Sequence, residues 1–556
     1  MDRFWLKNYP EGVPADIDPN QYSSLVQLLE EAFAKYRDRN AYVCFGKTIS
    51  FGEIDEMSKH FAAWLQSKGL AKGDRVAIMM PNLLQYPVAL AGVLRAGLTV
   101  VNVNPLYTAR ELEHQLKDSG AKAIVILENF VATLQQVIGK SQVEHVVLCA
   151  FGDLLGAPAG AAPEPPLPDA IRFNAMLAEG SRLPFRPVAL THEDVAFLQY
   201  TGGTTGLSKG ATLVHRNVIA NVLQSEAWMQ PALTNPKRGS PPEQLNFVCA
   251  LPLYHIFAMT VCCLLGMRVG GLNILIPNPR DPAALIKEIR PYKVHMFPAV
   301  NTLYNALANN AEFCALDWSG LRVCNGGGMA VQGAVAELWL RVTGCPICEG
   351  YGLSETSPSA VCNPTDTDEY NGTIGLPMPS TEIAILNDAG DPVPLGERGE
   401  IAIRGPQVMS GYWRQPGETA NVMTPDGFFK SGDIGVMDSR GYVKIVDRKK
   451  DMILVSGFNV YPNEVEDVIA ACPGVLECAA IGVPDENSGE VVKVFIVKKD
   501  KGLTAGDVMG YAAQHLTGYK KPKYVEFRAE LPKTNVGKIL RRELRDAELK
   551  KAAVPS

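Results

Sequence analysis

A strand-like run, VAFLQ, delivers the chain into YTGGTTGLSKGA, residues Tyr200 to Ala211, which packs four glycines, three threonines and a lysine into one short loop. Glycine permits positive φ and close backbone approach. The hydroxyls of Thr201, Thr204 and Thr205, the backbone N–H groups around Gly202, Gly203 and Gly206, and the ammonium of Lys209 all offer donors to a polyanion. That set is a phosphate cradle in chemical terms. It is not a Walker A loop, because Lys209 does not directly follow a glycine and no Ser or Thr comes after it. The next residues, ATLVH, read as a second strand, so Gly202 to Gly210 is expected to form a flexible hairpin; a glycine-rich turn at a sheet edge with no ligand stays open as an alternative.

The elements that would hold such a loop are legible as an alternation. RVAIMM, TVVNVN, AKAIVIL and VEHVVLCAF are apolar strand-like runs, separated by the helical patterns NLLQYPVALAGVLRAG, ARELEHQLKDSG and FVATLQQVIGKS. This rhythm predicts βα units around mainly parallel sheets. A Pro- and Ala-rich connection over Leu154 to Ala170 precedes what reads as another sheet-and-helix lobe, running from VAFLQY to LRVCNGGGMA. From about residue 380 short strands and turns predict a β-rich unit. Near its end begins a compact region with Pro462 at a first helical position and glutamates in the first turn. The fold class expected is therefore α/β. A body over residues 1–447, with a β-rich unit over about 380–447, is followed by a small mobile α+β domain over 448–556.

At 556 residues the chain exceeds a single domain, and 47% hydrophobic with 20% charged residues is globular composition. A net charge of −6 gives no reason to expect nucleic acid as a partner. Twelve scattered cysteines point to a reducing cytoplasm, and the CxxC of Cys345 and Cys348 lacks a second ligand pair for zinc. The N-terminus has no apolar h-region, so no secretory signal is expected. Phe247 to Met267 is long and uncharged, yet Pro252, Tyr254 and His255 within it favour a buried strand followed by a core helix over a membrane span.

YGLSET (Tyr351 to Thr356), GDIG (Gly432 to Gly435), DRKKDMILVSGFNVYPNEVE (Asp447 to Glu466) and PKTNVGKILRREL (Pro532 to Leu544) follow the loop in order. Together they resemble the core motifs of the adenylate-forming superfamily of acyl-CoA synthetases, adenylation domains and luciferases, over nearly the full chain. LPLYHIFAMT and PAVNTLYNALANN bring the likeness closest to bacterial long-chain fatty acyl-CoA synthetases. The resemblance implies ATP, coenzyme A and a fatty acid as substrates, with Mg²⁺, in two steps: acyl-adenylate formation with release of pyrophosphate, then displacement of AMP by the thiol. It places Tyr351 against adenine, Glu355 on the metal, Thr356 near the α-phosphate, and Gly326, Gly327 and Gly328 along the wall beside adenine and acyl group. It gives the ribose hydroxyls to Asp433 with Arg448 assisting. His255 falls near the carboxylate and thiol channel, with a pKa that permits either protonation state. Lys538 bridges carboxylate and α-phosphate, where a cationic point charge offsets repulsion between two anions. Between the steps the C-terminal domain turns about Lys450 and presents Val455 to Asn459, where Gly457 lets pantetheine pass.

Two positions depart from the family pattern: Ser208 stands where many relatives have Pro before the loop lysine, and Met259 near where some long-chain enzymes carry a tryptophan gate. LPLYHIFAMT offers no aspartate to pair an amino group, so an apolar acyl chain fits better than an amino acid. An aryl or medium-chain acyl-CoA synthetase would share every phosphate and ribose residue, and a nucleotide-binding regulatory protein would keep the loop without making a thioester. Peripheral contact with the inner face of the membrane and a homodimer are both compatible with the sequence, which shows no anchor.

Overall fold

The computed structural model describes residues 3–156, 167, 169–201, 208–448, 450–456, 458–485, 488–534 and 537–553, with Ala552 and Ala553 described by backbone only. Most of the Pro- and Ala-rich connection and the centre of the glycine loop, with Gly202, Gly203, Thr204, Thr205 and Gly206, lie outside the described residues, as does Gly457.

Four parallel runs form the centre of an eight-stranded sheet: Thr99–Asn102, Arg75–Met79, Ala123–Leu127 and His145–Cys149. Ala123–Leu127 is buried at every position, as a strand covered by helices on both faces must be. The intervening helix Ala109–Ser119 is delimited locally. Thr108 and Glu111 form a reciprocal capping box at its start, and Gly120 ends it in the left-handed conformation. The run FVATLQQVIGKS is not the continuous helix its pattern predicts; α-helix covers only Val131–Gln135, between two 3₁₀ turns.

Val195–Tyr200 joins this same sheet, with Val100 opposite Phe197, and does not open the second lobe. The second lobe instead recruits the N-terminal hairpin Asn40–Cys44 and Lys47–Ser50, which pairs with Leu272–Leu275 and through it Asn246–Cys249. Bridges at Met296 extend that array to Cys324–Gly326, Ile347–Gly352 and Ser359–Cys362. A fully apolar run fits either sheet equally well, so its pattern alone does not choose. The uncharged stretch from Phe247 resolves into the strand Asn246–Cys249 and a buried helical segment whose middle, Met259–Leu264, is wound as a π-helix. Among the described residues, no helix is long and apolar enough to cross a membrane.

Glu382–Leu386, Arg398–Arg404, Phe429–Met437 and Val443–Arg448 make an antiparallel four-stranded sheet. After it comes a separate sheet of Phe458–Val460, Ile453–Val455, Gly489–Lys498, Val475–Asp485 and Tyr524–Arg528. The helices Pro462–Ala470 and Ala505–His515 cover it, enclosing a core of their own around Val465, Ile469, Val494 and Val508. This smaller domain rests on the body through polar contacts. Asn305 Nδ2 donates to the Leu476 carbonyl at 2.7 Å, and the Gly333 N–H donates to Asp467 at 3.3 Å.

Candidate active site

The antiparallel pair Val195–Tyr200 and Gly210–Val214 holds the base of the glycine loop, with Tyr200 opposite Gly210. The Thr201 N–H donates to the Lys209 carbonyl at 2.9 Å, and the His114 ring fastens the Ser208 carbonyl at 2.8 Å. Both ends of the loop are therefore fixed.

The side chain of Lys209 turns towards residues that sequence reasoning did not single out. Its ammonium pairs with Glu418 and lies 5.0 Å above the ring of Tyr412, whose hydroxyl donates to Glu355 Oε1 at 2.7 Å. Tyr412 is there because Gly411–Tyr412 adds a short edge strand to the sheet, with Tyr412 opposite Ala211. The only sequence sign of this was an aromatic in a turn-rich stretch, far along the chain from the loop. Glu355 itself is buried, which pushes its carboxyl above the usual range, while the Tyr412 hydroxyl pulls it down.

Thr356, next to it, is completely buried and committed to its own turn. Its Oγ1 accepts from the Leu353 N–H at 2.9 Å and donates to the Pro358 carbonyl. A phosphate contact would require that hydroxyl to exchange partners. The turn is completed by Ser357 at φ 68°, whose carbonyl accepts from Thr260 Oγ1 of the π-helical segment at 2.8 Å.

The strand Ile347–Gly352 carries Tyr351, whose hydroxyl donates to Asp433 Oδ2 at 2.7 Å. Asp433 stands directly opposite Arg448 in the β-rich unit, with Arg448 Nε at 3.4 Å from Asp433 Oδ1. Tyr351, Asp433 and Arg448 thus form one contiguous group. Gly326 ends the strand Cys324–Gly326, and Gly327 and Gly328 follow as a wall beside Phe257. A Cβ on Gly327 would lie 3.0 Å from the Phe257 ring, so a side chain there would require that ring to give way.

His255 caps the short helix Ile256–Ala258, its Nδ1 accepting from the Phe257 N–H at 3.3 Å. That bond assigns the proton to Nε2. Burial, with the nearby Lys538 ammonium, drives its pKa down to about 4. The expectation that His255 can take either protonation state near neutrality is therefore corrected: desolvation and a like charge hold it neutral.

Lys538 reaches this place from the smaller domain, within electrostatic range of His255, Arg448, Asp433, Lys450 and Arg541. Burial above all, then Arg448, brings its pKa down to about 7. Lys450 is exposed just beyond the strand Val443–Arg448. The structure thus gathers Tyr351, Asp433, Arg448, His255 and Lys538 around one junction, with Lys209, Tyr412 and Glu355 as a linked second group. Among the described residues, no cluster of three His, Cys, Asp or Glu side chains is placed to hold a metal.

Residues 29–413 match the AMP-binding enzyme family, and residues 464–538 match the AMP-binding enzyme C-terminal domain. The chain is 54% identical to a long-chain-fatty-acid–CoA ligase of Yersinia pestis over 99% of both chains, and 54% identical to one of Escherichia coli O6:H1 over 98% of both. Among solved structures, an anthranilate CoA ligase in complex with anthranoyl-AMP superposes with a TM-score of 0.87 at 25% identity, covering 97% of this chain and 100% of that one. With the loop, the Tyr351–Asp433–Arg448 group and the C-terminal lysine in the order and places described, the chain belongs to the AMP-binding enzyme family.

Proposed function

We infer that the chain is an AMP-forming long-chain fatty acid–CoA ligase, converting a fatty acid and ATP to acyl-adenylate and pyrophosphate and then exchanging AMP for the thiol of coenzyme A. The observation that carries this reading is that Lys538, from a separate domain, comes within electrostatic range of Arg448, Asp433 and His255 of the body.

In the first step a carboxylate oxygen attacks the α-phosphorus and pyrophosphate departs. Two anions must approach, and fixed positive charge is what the site supplies. Lys538 stands between them. A triphosphate draws the Lys209 ammonium away from Glu418, the face of Tyr351 takes the adenine, and Asp433 accepts from the ribose hydroxyls while Arg448 holds its orientation. Neutral His255 directs Nε2–H at the carboxylate without adding another cation.

Mg²⁺ fits Glu355, whose Oε1 is held by Tyr412 and whose buried carboxylate would gain from a cation. Bound there, it would keep most of its waters and neutralise phosphate oxygens. A single protein carboxylate suits that ion, which seldom takes an all-protein cage.

In the second step the thiol attacks the acyl carbonyl and AMP leaves. Lys538 then obstructs the site, and a turn of the C-terminal domain about Lys450, beyond Arg448, withdraws it and brings Val455 to Asn459 to the thioester step. The polar contacts at the domain junction support such a movement, because hydrogen bonds that water can replace are readily exchanged. An acid that partitions into bilayers is delivered by reversible contact with the inner membrane surface.

AMP release with ATP, Mg²⁺ and coenzyme A over acids of graded chain length tests the reading. Release should rise with apolar chain length into the long-chain range. Release independent of the acid, or greatest with aryl acids, would overturn it.

A further inference from the structure

Lys538 rides on a closed turn. The Thr534 N–H donates to the Lys538 carbonyl at 2.7 Å, the Lys538 N–H to Thr534 Oγ1 at 3.0 Å, and the Gly537 N–H to the Thr534 carbonyl at 2.9 Å. On either side the turn is moored inside its own domain. Lys533 pairs with Glu477 at 2.7 Å, and Arg541 with Glu466 at 2.6 Å. These bonds fix the lysine relative to the C-terminal domain and say nothing about its place relative to the body.

A hydrogen bond from the body to the residue before it does. Thr302, second residue of the body helix Asn301–Ala308, donates its hydroxyl to the Gly537 carbonyl at 3.0 Å. The acceptor belongs to the peptide that enters Lys538, so the bond acts on the lysine's own backbone. Gly537 has φ 83°, and a Cβ there would lie 2.7 Å from Thr302 Oγ1 and 3.1 Å from a Val300 methyl. Both the backbone conformation and the closeness of the body thus demand glycine. Asn305 and Gly333 contact the domain elsewhere, at Leu476 and Asp467. They hold the domain, whereas Thr302 holds the turn.

We propose that Thr302 is a positioning residue for the first half-reaction, setting Lys538 between carboxylate and α-phosphate by gripping the peptide before it. The bond is lost when the domain turns, so Thr302 has no part in thioester formation. This inference rests on the reading of Lys538 given above.

Thr302→Val keeps shape and removes the donor at a partly exposed position. Two measurements decide: acid-dependent ATP–pyrophosphate exchange, and conversion of preformed acyl-adenylate to thioester. Misplacing a charge at a reacting centre by an ångström costs up to ~100-fold, so kcat for exchange should fall about 10-fold or more with KM for ATP little changed. Thioester formation should stay at the parent rate, Thr302→Ser should restore exchange, and Thr302→Val should add no further loss to Lys538→Ala. Equal loss in both half-reactions, no loss in exchange, or additive loss with Lys538→Ala would overturn the role of Thr302. If Lys538→Ala alone depresses both half-reactions equally, the reading of Lys538 fails first and this inference with it.

Discussion

Tyr412 donates its hydroxyl to Glu355 at 2.7 Å while its ring carries the Lys209 ammonium 5.0 Å above it, so one side chain joins the phosphate-loop cation to the buried carboxylate. Removing that donor leaves burial opposed only by the Glu355 backbone N–H and by Arg448 and raises the pKa of Glu355 further, which weakens a carboxylate's hold on a cation. Tyr412→Phe should raise KM for MgATP about 10-fold, the worth of a hydrogen bond to a charged group, with the loss greater at acid pH. Tyr412→Leu, which also takes away the ring beneath Lys209, should cost more. An unchanged MgATP dependence in both variants would separate Tyr412 from the nucleotide site.

Lys538 supplies a pH dependence whose sign is fixed. Its ammonium is drawn down to about 7, chiefly by burial and then by Arg448, with Arg541 and Lys450 adding and Asp433 opposing. Between that value and the ordinary lysine value of about 10.4, the unfolded chain binds a proton that the folded chain does not. The contribution of Lys538 to stability therefore rises with pH across this window, and its full penalty is felt below it. For catalysis the charged form is needed, so kcat/KM for pyrophosphate exchange should fall above about pH 7, while the kcat limb lies further to alkali because bound anions return the charge. Binding of ATP and acid at about pH 8 should take up a proton, seen as a buffer-dependent calorimetric enthalpy. Lys538→Arg, which stays charged, should abolish both the limb and the uptake. A limb that persists in that variant belongs to another group.

The parts of this arrangement that sequence made legible are those written locally. Thr108 and Gly120 delimit their helix by capping chemistry, Pro462 opens the next domain's first helix, and the apolar runs from Arg75 to Cys149 alternate with helices as βα units do. What stayed hidden depends on distant pairings. Val195–Tyr200 reads the same in either sheet, and only its register with Thr99–Asn102 assigns it. Tyr412 reaches Glu355 because an edge strand docks beside Ala211. The neutrality of His255 follows from burial and a lysine on another domain, neither of which a residue type can announce.

Glu349 was among the hidden residues. It is buried behind the glycine wall, accepts from the Val331 N–H at 3.0 Å, and lies 2.9 Å from the Tyr370 hydroxyl, which is also 2.7 Å from the Val331 carbonyl. One hydroxyl proton cannot serve both acceptors, but a protonated Glu349 donates to Tyr370 and satisfies all three groups. Burial pushes its pKa up to about 7 accordingly. A carboxyl raised in this way contributes stability at low pH that is lost as pH rises through about 7. Glu349→Gln, which mimics the protonated form, should match the parent Tm at low pH and exceed it above neutrality. Glu349→Ala should cost about 1–3 kcal/mol by stranding buried donors, and should raise KM for the fatty acid as the wall loosens. Thermal melts across pH check the first point, and a Glu349→Gln curve parallel to the parent's would refute the protonation argument.

Arg541, three residues beyond Lys538 in the chain, binds the carboxylates that hold the smaller domain to its own start: Glu466 at 2.6 Å and Asp447 at 3.4 Å. Asp447 is wholly buried and pushed up to about 6 by burial even with Arg541 beside it. Arg541→Met leaves two buried carboxylates without their cation, a loss worth about 3–5 kcal/mol when one partner of a buried pair is removed. Because residues 453–528 enclose their own core, the loss should appear as an earlier, separate melting transition of the C-terminal domain, with the body's transition unmoved. Without its cation the Asp447 carboxyl titrates above the parent's value of about 6, so the gap between variant and parent should be smallest below about 6, where Asp447 is protonated in both, and widen as pH rises above it. Scanning calorimetry at two pH values reads both the split and its direction. A gap of the same size at each pH would mean that Arg541 stabilises the domain by packing its stem and not by offsetting Asp447 and Glu466.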